Sequence, residues 1–442
     1  MTAGKRWVAL MISAVTFAAS FPPFGAWWLM PVAMGLFLVA VRGLAPKTAF
    51  VSGFGHGLLA YGLTLPWMWL IFGPMAALLW GILAAFHAVF ALLAVTWCPS
   101  IPSRWQRAIW LALAWMALEY IRGEVFWLKF PWATVSLSRG PNILLPWFGV
   151  YATGLLLMLG LALVIECRQR WPGAALILVW YFLPLPQMPA TSGPPLKVTA
   201  IQAEGAMPNR LLELSAASPA QTDFIVWPEY AFPGNLLAAK PDLTAIQSFL
   251  KERQSLLVIG AQTYAPTGSK WFNTALTLSA DAILGQHVKN HTVHLFDDGT
   301  PGTTANPVST PIGKIGTPIC FDCDFQDIAR RMAQEGAECF LVPSMDVASW
   351  GERQHLQHAE LARIRAAENA RWMVVASSSG RTQAIDPQGS VIGKLPLFEE
   401  GHLNAEIYRV EAQTFFTRYG WYFGPSLVLL AFLSAIPFGR AD

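Results

Sequence analysis

The sequence predicts a polytopic α-helical membrane protein, with about eight transmembrane helices and one α/β domain inserted before the last of them. Three observations predict it. Hydrophobic residues make up 54% of the 442 residues and charged residues only 13%, about half the charged share of a typical soluble chain. Apolar runs long enough to cross roughly 30 Å of hydrocarbon recur before residue 190 and again near the end. Between them the texture changes to short β-type runs alternating with helical ones, and most acidic residues fall there. The 20 Trp and 27 Phe suit rings gathered at membrane interfaces.

In chain order the first apolar segments fall at 7–21, 26–42, 49–72, 74–97, 105–121, 143–165 and 172–187, making residues 1–190 a transmembrane domain of about seven helices. The last falls at 419–438, within a C-terminal transmembrane helix over 417–439. Lys5 and Arg6 before the first run also suit a signal peptide, but "FPPFGAWW" is a poor cleavage region and another apolar run follows at once. The seventh segment, "PGAALILVWYFLPLP", is short and bounded by proline. With the N-terminus inside, the inner loops hold Lys5, Arg6, Arg42, Lys47, Arg104, Arg107, Arg168, Arg170 and Arg440. The short outer loops hold only Arg122, Lys129 and Arg139. This bias follows the positive-inside rule, and seven crossings deliver the inserted domain to the outer face. Glu119, in "WMALEYIRGEVFWLKFPW", lies near the end of an apolar helix, where an ionisable side chain is a functional hypothesis by default. The reading adopted for it is an i,i+3 pair with Arg122 near the interface.

The inserted domain runs from 196 to 408. "LKVTAIQA", "DFIVWPEY", "SLLVIGAQT", "NTALTLSA", "GKIGTPICF", "CFLVPS" and "WMVVASSSG" read as strands of a mostly buried sheet. "PDLTAIQSFLKERQ", "DFQDIARRMAQEG" and "ERQHLQHAELARIRAAENAR" carry apolar residues at helical spacing, and "DPQG" at 386–389 marks a hairpin turn. A net charge of +3 without a Lys/Arg block predicts no nucleic-acid partner. Five cysteines in no regular framework argue against a disulfide scaffold.

Three stretches place polar residues at the ends of apolar strands, where α/β domains put their sites. "IVWPEYAFPG" presents Glu229, "HVKNHTVHLFDD" presents Lys289, and "GTPICFD" presents Cys320. The C-x-x-C spacing of Cys320 and Cys323 leaves three chemistries open: a redox pair, half of a zinc site completed by His287, His291 and His294, or one nucleophile with a bystander. The third has a clear mechanism. A free thiol titrates near ~8.5 and needs help to attack a carbonyl at neutral pH. Glu229 would take its proton, while Lys289 and the backbone N–H of Phe321 would stabilise the oxyanion. A Glu after Pro, a lone Lys or a buried Cys is usually structural; the trio together favours catalysis.

Glu in "WPE", Lys in "VKNH" and Cys in "GTPICFD", in that order, resemble the Glu–Lys–Cys triad of the nitrilase superfamily of carbon-nitrogen hydrolases. "FPPFGAWWLMPVAM", "ALEYIRGEVFWLKFPWATVSLSRGPNILLPWFGVYATGLLL", "HLQHAELARIRAAENARW" and "SSGRTQAIDPQGSVIGKLPLFEEG" narrow the resemblance to its membrane-embedded branch, the apolipoprotein N-acyltransferase family. The likeness spans nearly the whole chain. It implies an αββα sandwich over 196–408 with Glu229 as base, Lys289 as oxyanion partner, Cys320 as nucleophile and Cys323 as bystander. It also places Asp297 at the family's second glutamate, eight residues beyond the lysine, and Asp322 at a glutamate two residues past the nucleophile. The chain departs from the family at "HLFDD", "SMDVASWG" and "SSG", loops that shape the acyl pocket and amine access.

The resemblance implies transfer of an acyl chain from a phospholipid, through a Cys320 thioester, to the N-terminal amine of a diacylglyceryl-cysteine lipoprotein. It implies no cofactor and no metal. The partners are then a phospholipid donor, a diacylated lipoprotein acceptor and membrane lipid. The location is the bacterial cytoplasmic (inner) membrane, multi-pass, with the catalytic domain facing the periplasm. Two alternatives use the same residues: a membrane-tethered amidase in which water resolves the thioester, and a catalytically silent lipid- or peptide-binding homologue.

Overall fold

Successive residues of a strand point to opposite faces, and in the α/β part of this chain each face is buried against a different layer. β1 (Ser192–Gln202) sends Val198 and Ala200 into one apolar cluster and Ile201 into another. After the short β2 (Phe224–Val226) and β3 (Phe232–Asn235), β4 (Leu256–Tyr264) repeats this, with Val258 on one side and Leu257, Ile259 and Ala261 on the other. β5 (Trp271–Leu278) and β6 (Ile283–Val288) complete the first sheet, in the order β13-β1-β2-β4-β5-β6 with β3 beside β4, where β13 is Gly401–Arg409. The second sheet has the order β12-β11-β10-β9-β8-β7. Its strands are β7 (Val308–Thr310), β8 (Gly313–Gly316), β9 (Cys339–Ser344), β10 (Met373–Ser377), β11 (Gln383–Ile385) and β12 (Val391–Lys394).

The shared cluster joins Val198, Phe224 and Val258 of the first sheet to Ile315, Leu341 and Val374 of the second, so the sheets face each other. Ile201, Leu257 and Ile259 pack on the other side against the helices Pro208–Ala216 and Lys240–Arg253. Phe340, Val342 and Met373 pack outward against Asp327–Gln334 and Glu352–Asn369. Helix, sheet, sheet, helix is the αββα order expected. The centre of each sheet is parallel (β1, β2, β4; β8, β9, β10) and its flanks antiparallel. The turn at 386–389 joins β11 to β12, closed by Gly389 N–H on Asp386 O at 2.9 Å.

The structure is a computed structural model that describes residues 1–266, 268 and 270–435; Arg440 and the end of the predicted last span lie outside them. The chain divides into two compact units, 185–418 and a helical unit of residues 1–184 with the chain from 419 on. Each predicted apolar segment overlaps a helix: Ala3–Ala19, Met30–Val41, Pro46–Thr64, Met75–Thr96, Arg104–Tyr120, Val150–Glu166, Trp171–Tyr181 and Phe423–Ser434. Among the described residues only Met75–Ser100 is long and apolar enough to cross a membrane. Two predicted segments are divided. Pro66, which has no N–H to donate, parts Pro46–Thr64 from Trp67–Phe72, and Gly149 at φ 72° parts Leu145–Phe148 from Val150–Glu166. Apolar side chains lie on exposed as well as buried faces of these helices. Ala3–Ala19 buries Leu10, Ala14 and Phe17 yet exposes Val8, Met11, Ile12 and Val15. Glu119 does not pair with Arg122. It accepts hydrogen bonds from Trp115 Nε1 (3.0 Å), Val135 N (2.6 Å) and Ser136 Oγ (3.1 Å). A π-helical turn over Ile121–Val125 widens the helix there, and the Arg122 guanidinium lies over the Tyr61 ring, 5.3 Å from its centre.

Candidate active site

The strand-end residues of both sheets meet at the exit of β9. After β2 the chain runs through Trp227 and Pro228 to Glu229, whose N–H donates to Ser344 O at 3.3 Å. Gly260 on β4 makes room for this path, because a Cβ there would collide with the Cα of Glu229. One residue beyond Ser344, Met345 O accepts from Cys320 Sγ at 3.5 Å. Cys320 follows β8 by four residues and opens a 3-10 turn, Cys320–Asp324, with φ at +46°. A non-glycine residue in this region costs on the order of 1–3 kcal/mol, and such residues gather at functional sites.

Lys289, one residue past β6, is 1% exposed. Its Nζ lies 2.8 Å from Glu229 Oε1 and 2.8 Å from Asp298 Oδ2. Asn273 at the start of β5 donates to Glu229 Oε1 (2.6 Å) and Asp298 Oδ1 (2.7 Å), and Tyr230 O–H donates to Asp298 Oδ1 (2.5 Å). Both side-chain partners of Glu229 are on Oε1. Its Oε2 is buried without a hydrogen-bond partner among the described residues.

The charges set the protonation states. Burial raises the Glu229 carboxyl above its ordinary range, with Lys289 working against it and Asp298 adding to it. Burial alone would lower Lys289, but Glu229, Cys320 and Asp298 together hold its ammonium well above the usual value. Burial and the Glu229 charge push the Cys320 thiol well up, with Lys289 opposing. Burial thus keeps the Cys320 thiol protonated and makes the Glu229 carboxylate a stronger base than an ordinary one, so a proton transfer must accompany attack.

The second carboxylate on Lys289 is Asp298, one residue after the Asp297 that the resemblance implied; Asp297 is exposed. Asp322, fully buried, makes no hydrogen bond or ion pair with Lys289 or Cys320 Sγ. Its Oδ1 accepts from the N–H of Asn290 (3.0 Å) and His291 (2.8 Å), and its Oδ2 from Ile319 N (3.1 Å), with His287 Nε2 at 2.9 Å. It pins the Cys320 turn to the chain on both sides of Lys289. Phe321 N–H precedes the first bond of the turn, made by Asp322 N–H on Ile319 O, and so has no partner within it. Cys323 is buried in the core beneath the helix Glu352–Asn369, and all five cysteines are free thiols. The histidines of the zinc alternative part company: His287 goes to Asp322 and His291 to Asp327 at 2.7 Å. Among the described residues no group of three or more His, Cys, Asp or Glu is arranged for a metal.

Sequence reasoning missed a second buried network. Asp346, just past β9, accepts from His358 Nδ1 (2.8 Å) and Gln354 Nε2 (3.0 Å), and His358 Nε2 lies 3.2 Å from Asp324. Burial would lower His358, but the two carboxylates hold it as imidazolium well above its ordinary value; the same contact keeps Asp346 down at about 2 against burial. Cys320, Cys323, Asp346, His358 and Arg381 line one small cavity there. A polar residue ending an apolar strand, the signal that found Glu229, was also present at Asp346.

Two family descriptions match the chain: Carbon-nitrogen hydrolase over residues 190–415 and Apolipoprotein N-acyltransferase N-terminal domain over 13–164. The apolipoprotein N-acyltransferase of Pseudomonas aeruginosa is 28% identical, over 93% of this chain and 91% of that one. That of Geobacter metallireducens is 26% identical, over 99% and 96%. A crystal structure of a carbon-nitrogen hydrolase from Helicobacter pylori is similar over 52% of this chain and 94% of its own, with 21% identity and a TM-score of 0.43. The first match covers just over half of the chain and the second most of what precedes it, so the chain is an enzyme of the carbon-nitrogen hydrolase family, in its apolipoprotein N-acyltransferase branch.

Proposed function

We propose that this enzyme moves an acyl chain from a phospholipid to the N-terminal amine of a diacylglyceryl-cysteine lipoprotein, through a thioester on Cys320. The observation that carries the reading is the one-sided binding of Glu229: Oε1 is held by Lys289 and Asn273, and Oε2 is left to accept a proton. As the Cys320 sulfur bonds to the ester carbonyl carbon, its proton passes to Oε2. The carbonyl oxygen becomes an oxyanion. Lys289 has three N–H donors and uses two on Glu229 and Asp298, leaving one for that oxygen alongside Phe321 N–H. The ester C–O bond then breaks, Glu229 returns the proton to the leaving alkoxide, and a lysophospholipid departs. In the second half the free amine attacks the thioester. Glu229 carries the amine's proton to the departing sulfur, leaving an amide and the Cys320 thiol.

The helical unit supports a bilayer setting. Its helices are apolar on exposed and buried faces alike, as helices are that contact lipid on one side and protein on the other. Seven spans before the α/β unit and one after it, with the basic loops inside, would place that unit on the periplasmic side of the inner membrane.

The experiment is mass spectrometry of the purified enzyme with phospholipid alone, then with an amine-bearing diacylated peptide. An acyl adduct on Cys320 that persists in water and is consumed by the peptide is expected, with none in Cys320→Ala. Rapid loss of the adduct as free fatty acid would instead establish the amidase reading, and no adduct at all the silent homologue.

A further inference from the structure

The ends of four helices in the helical unit enclose a cavity of about 200 Å³ that the acyl-transfer reading does not use. It exceeds the ~150 Å³ apolar cavity that accepts a benzene ring. Its walls are apolar: Leu38 and Val41 from Met30–Val41, Val95 from Met75–Thr96, Leu111 from Arg104–Tyr120 and Ile165 from Val150–Glu166. Two guanidinium groups stand at its rim, each fixed by backbone carbonyls. Arg42 donates to Ile165 O (3.0 Å), and Arg107 to Ile101 O (2.7 Å) and Pro102 O (3.2 Å). They share one carboxylate, that of Glu166, at 3.4 Å and 3.9 Å. Two cations against one anion leave an unbalanced positive charge, and the arginine side chains keep 55% and 26% of their surface exposed. Arg6 adds a third cation by donating to the carbonyls of Ala40 and Arg42, and Arg104 at the start of its helix and Arg168 on the adjoining loop stand exposed.

We infer that this cavity is a binding site for an anionic phospholipid of the cytoplasmic leaflet, with the phosphate between Arg42 and Arg107 and the start of one acyl chain among Leu38, Val41, Leu111 and Ile165. Free phosphate would leave the apolar walls unfilled, and a neutral lipid would leave the guanidinium charge unanswered. Basic pockets between helices at a cytoplasmic surface bind acidic head groups on these grounds. The site is separate from Cys320 but rests on the reading that the helical unit lies in a bilayer with this end inside.

Cys98 lines the cavity and reports its occupancy. The full-length enzyme is placed in nanodiscs of phosphatidylcholine alone or mixed with phosphatidylglycerol. Modification of Cys98 by a small uncharged thiol reagent is then followed by peptide mass spectrometry. Phosphatidylglycerol is expected to slow the labelling, and Arg42→Gln or Arg107→Gln to weaken that protection about fivefold each. Acyl transfer in phosphatidylcholine should stay unchanged in both variants. Equal labelling in the two lipids overturns the inference, as does equal protection by inorganic phosphate. Native mass spectrometry from mixed micelles gives a second reading if Cys98 proves unreactive: retention of phosphatidylglycerol over phosphatidylcholine supports the site and its absence overturns it. A protein that fails to enter nanodiscs refutes the bilayer setting itself, a result distinct from either.

Discussion

Lys289 faces two acids, and their roles differ. Glu229 leaves Oε2 without a hydrogen-bond partner among the described residues, the oxygen proposed to take the thiol proton, whereas Asp298 is engaged by Lys289, Asn273, Tyr230 and Val293 N–H. Asp298 therefore fixes where the ammonium stands. Asp298→Asn is expected to lower kcat/KM roughly a hundredfold, the scale for losing one oxyanion-stabilising contact, while Asp297→Asn stays near wild type. Steady-state rates of acyl transfer for the two variants check this, and equal losses would refute the assignment. The strand-end placement of Glu229, Lys289 and Cys320 was legible because a polar residue ending an apolar run is visible in one dimension. The choice between Asp297 and Asp298 was not, because it depends on a backbone angle. Leu295 takes a left-handed φ of 69° in the loop just before them, a turn that spacing from Lys289 does not announce.

At the scale of elements, the helix Glu352–Asn369 holds the second network in place through His358. His358→Ala would remove the buried cation that Asp346 and Asp324 share, a loss of about 3–5 kcal/mol by analogy with broken buried pairs. The pH dependence has a definite sign. Because His358 is raised, its contribution is complete below its unfolded value of 6.5 and is lost as pH rises through the folded one. Because Asp346 is lowered, its contribution is present above its unfolded value of 3.8 and is lost as pH falls through about 2. Melting temperatures of wild type and variant should therefore differ most between about pH 4 and 6.5, and the gap should narrow as pH rises through the folded His358 value and as it falls below 3.8. The long strands β1, β4 and β5 were legible from their apolar runs. β12 and β13 were not, because they are edge strands that mix polar with apolar residues. β2 and β8 came out shorter than predicted, since Trp-Pro-Glu and Thr-Pro-Ile-Cys leave the sheet to build the site.

For the molecule as a whole, the distribution of basic residues predicts which loops face which compartment. Lys129→Cys should react with an impermeant maleimide on spheroplasts, and Lys47→Cys only after the membrane is opened; the reverse pattern would invert the topology. Eight apolar segments were legible from composition and length. Their breaks were less so, because Pro66 and Gly149 interrupt helices inside runs that stay hydrophobic throughout. The helical unit is also discontinuous in the chain. Its last helix, Phe423–Ser434, packs through Gly424 so closely on Tyr120 that no side chain fits between them. A ribosome adding ~5–20 residues per second makes Tyr120 some fifteen seconds to a minute before its partner emerges. Through that interval the nascent bundle shows an open flank, which lipid or an insertase must shield until translation ends.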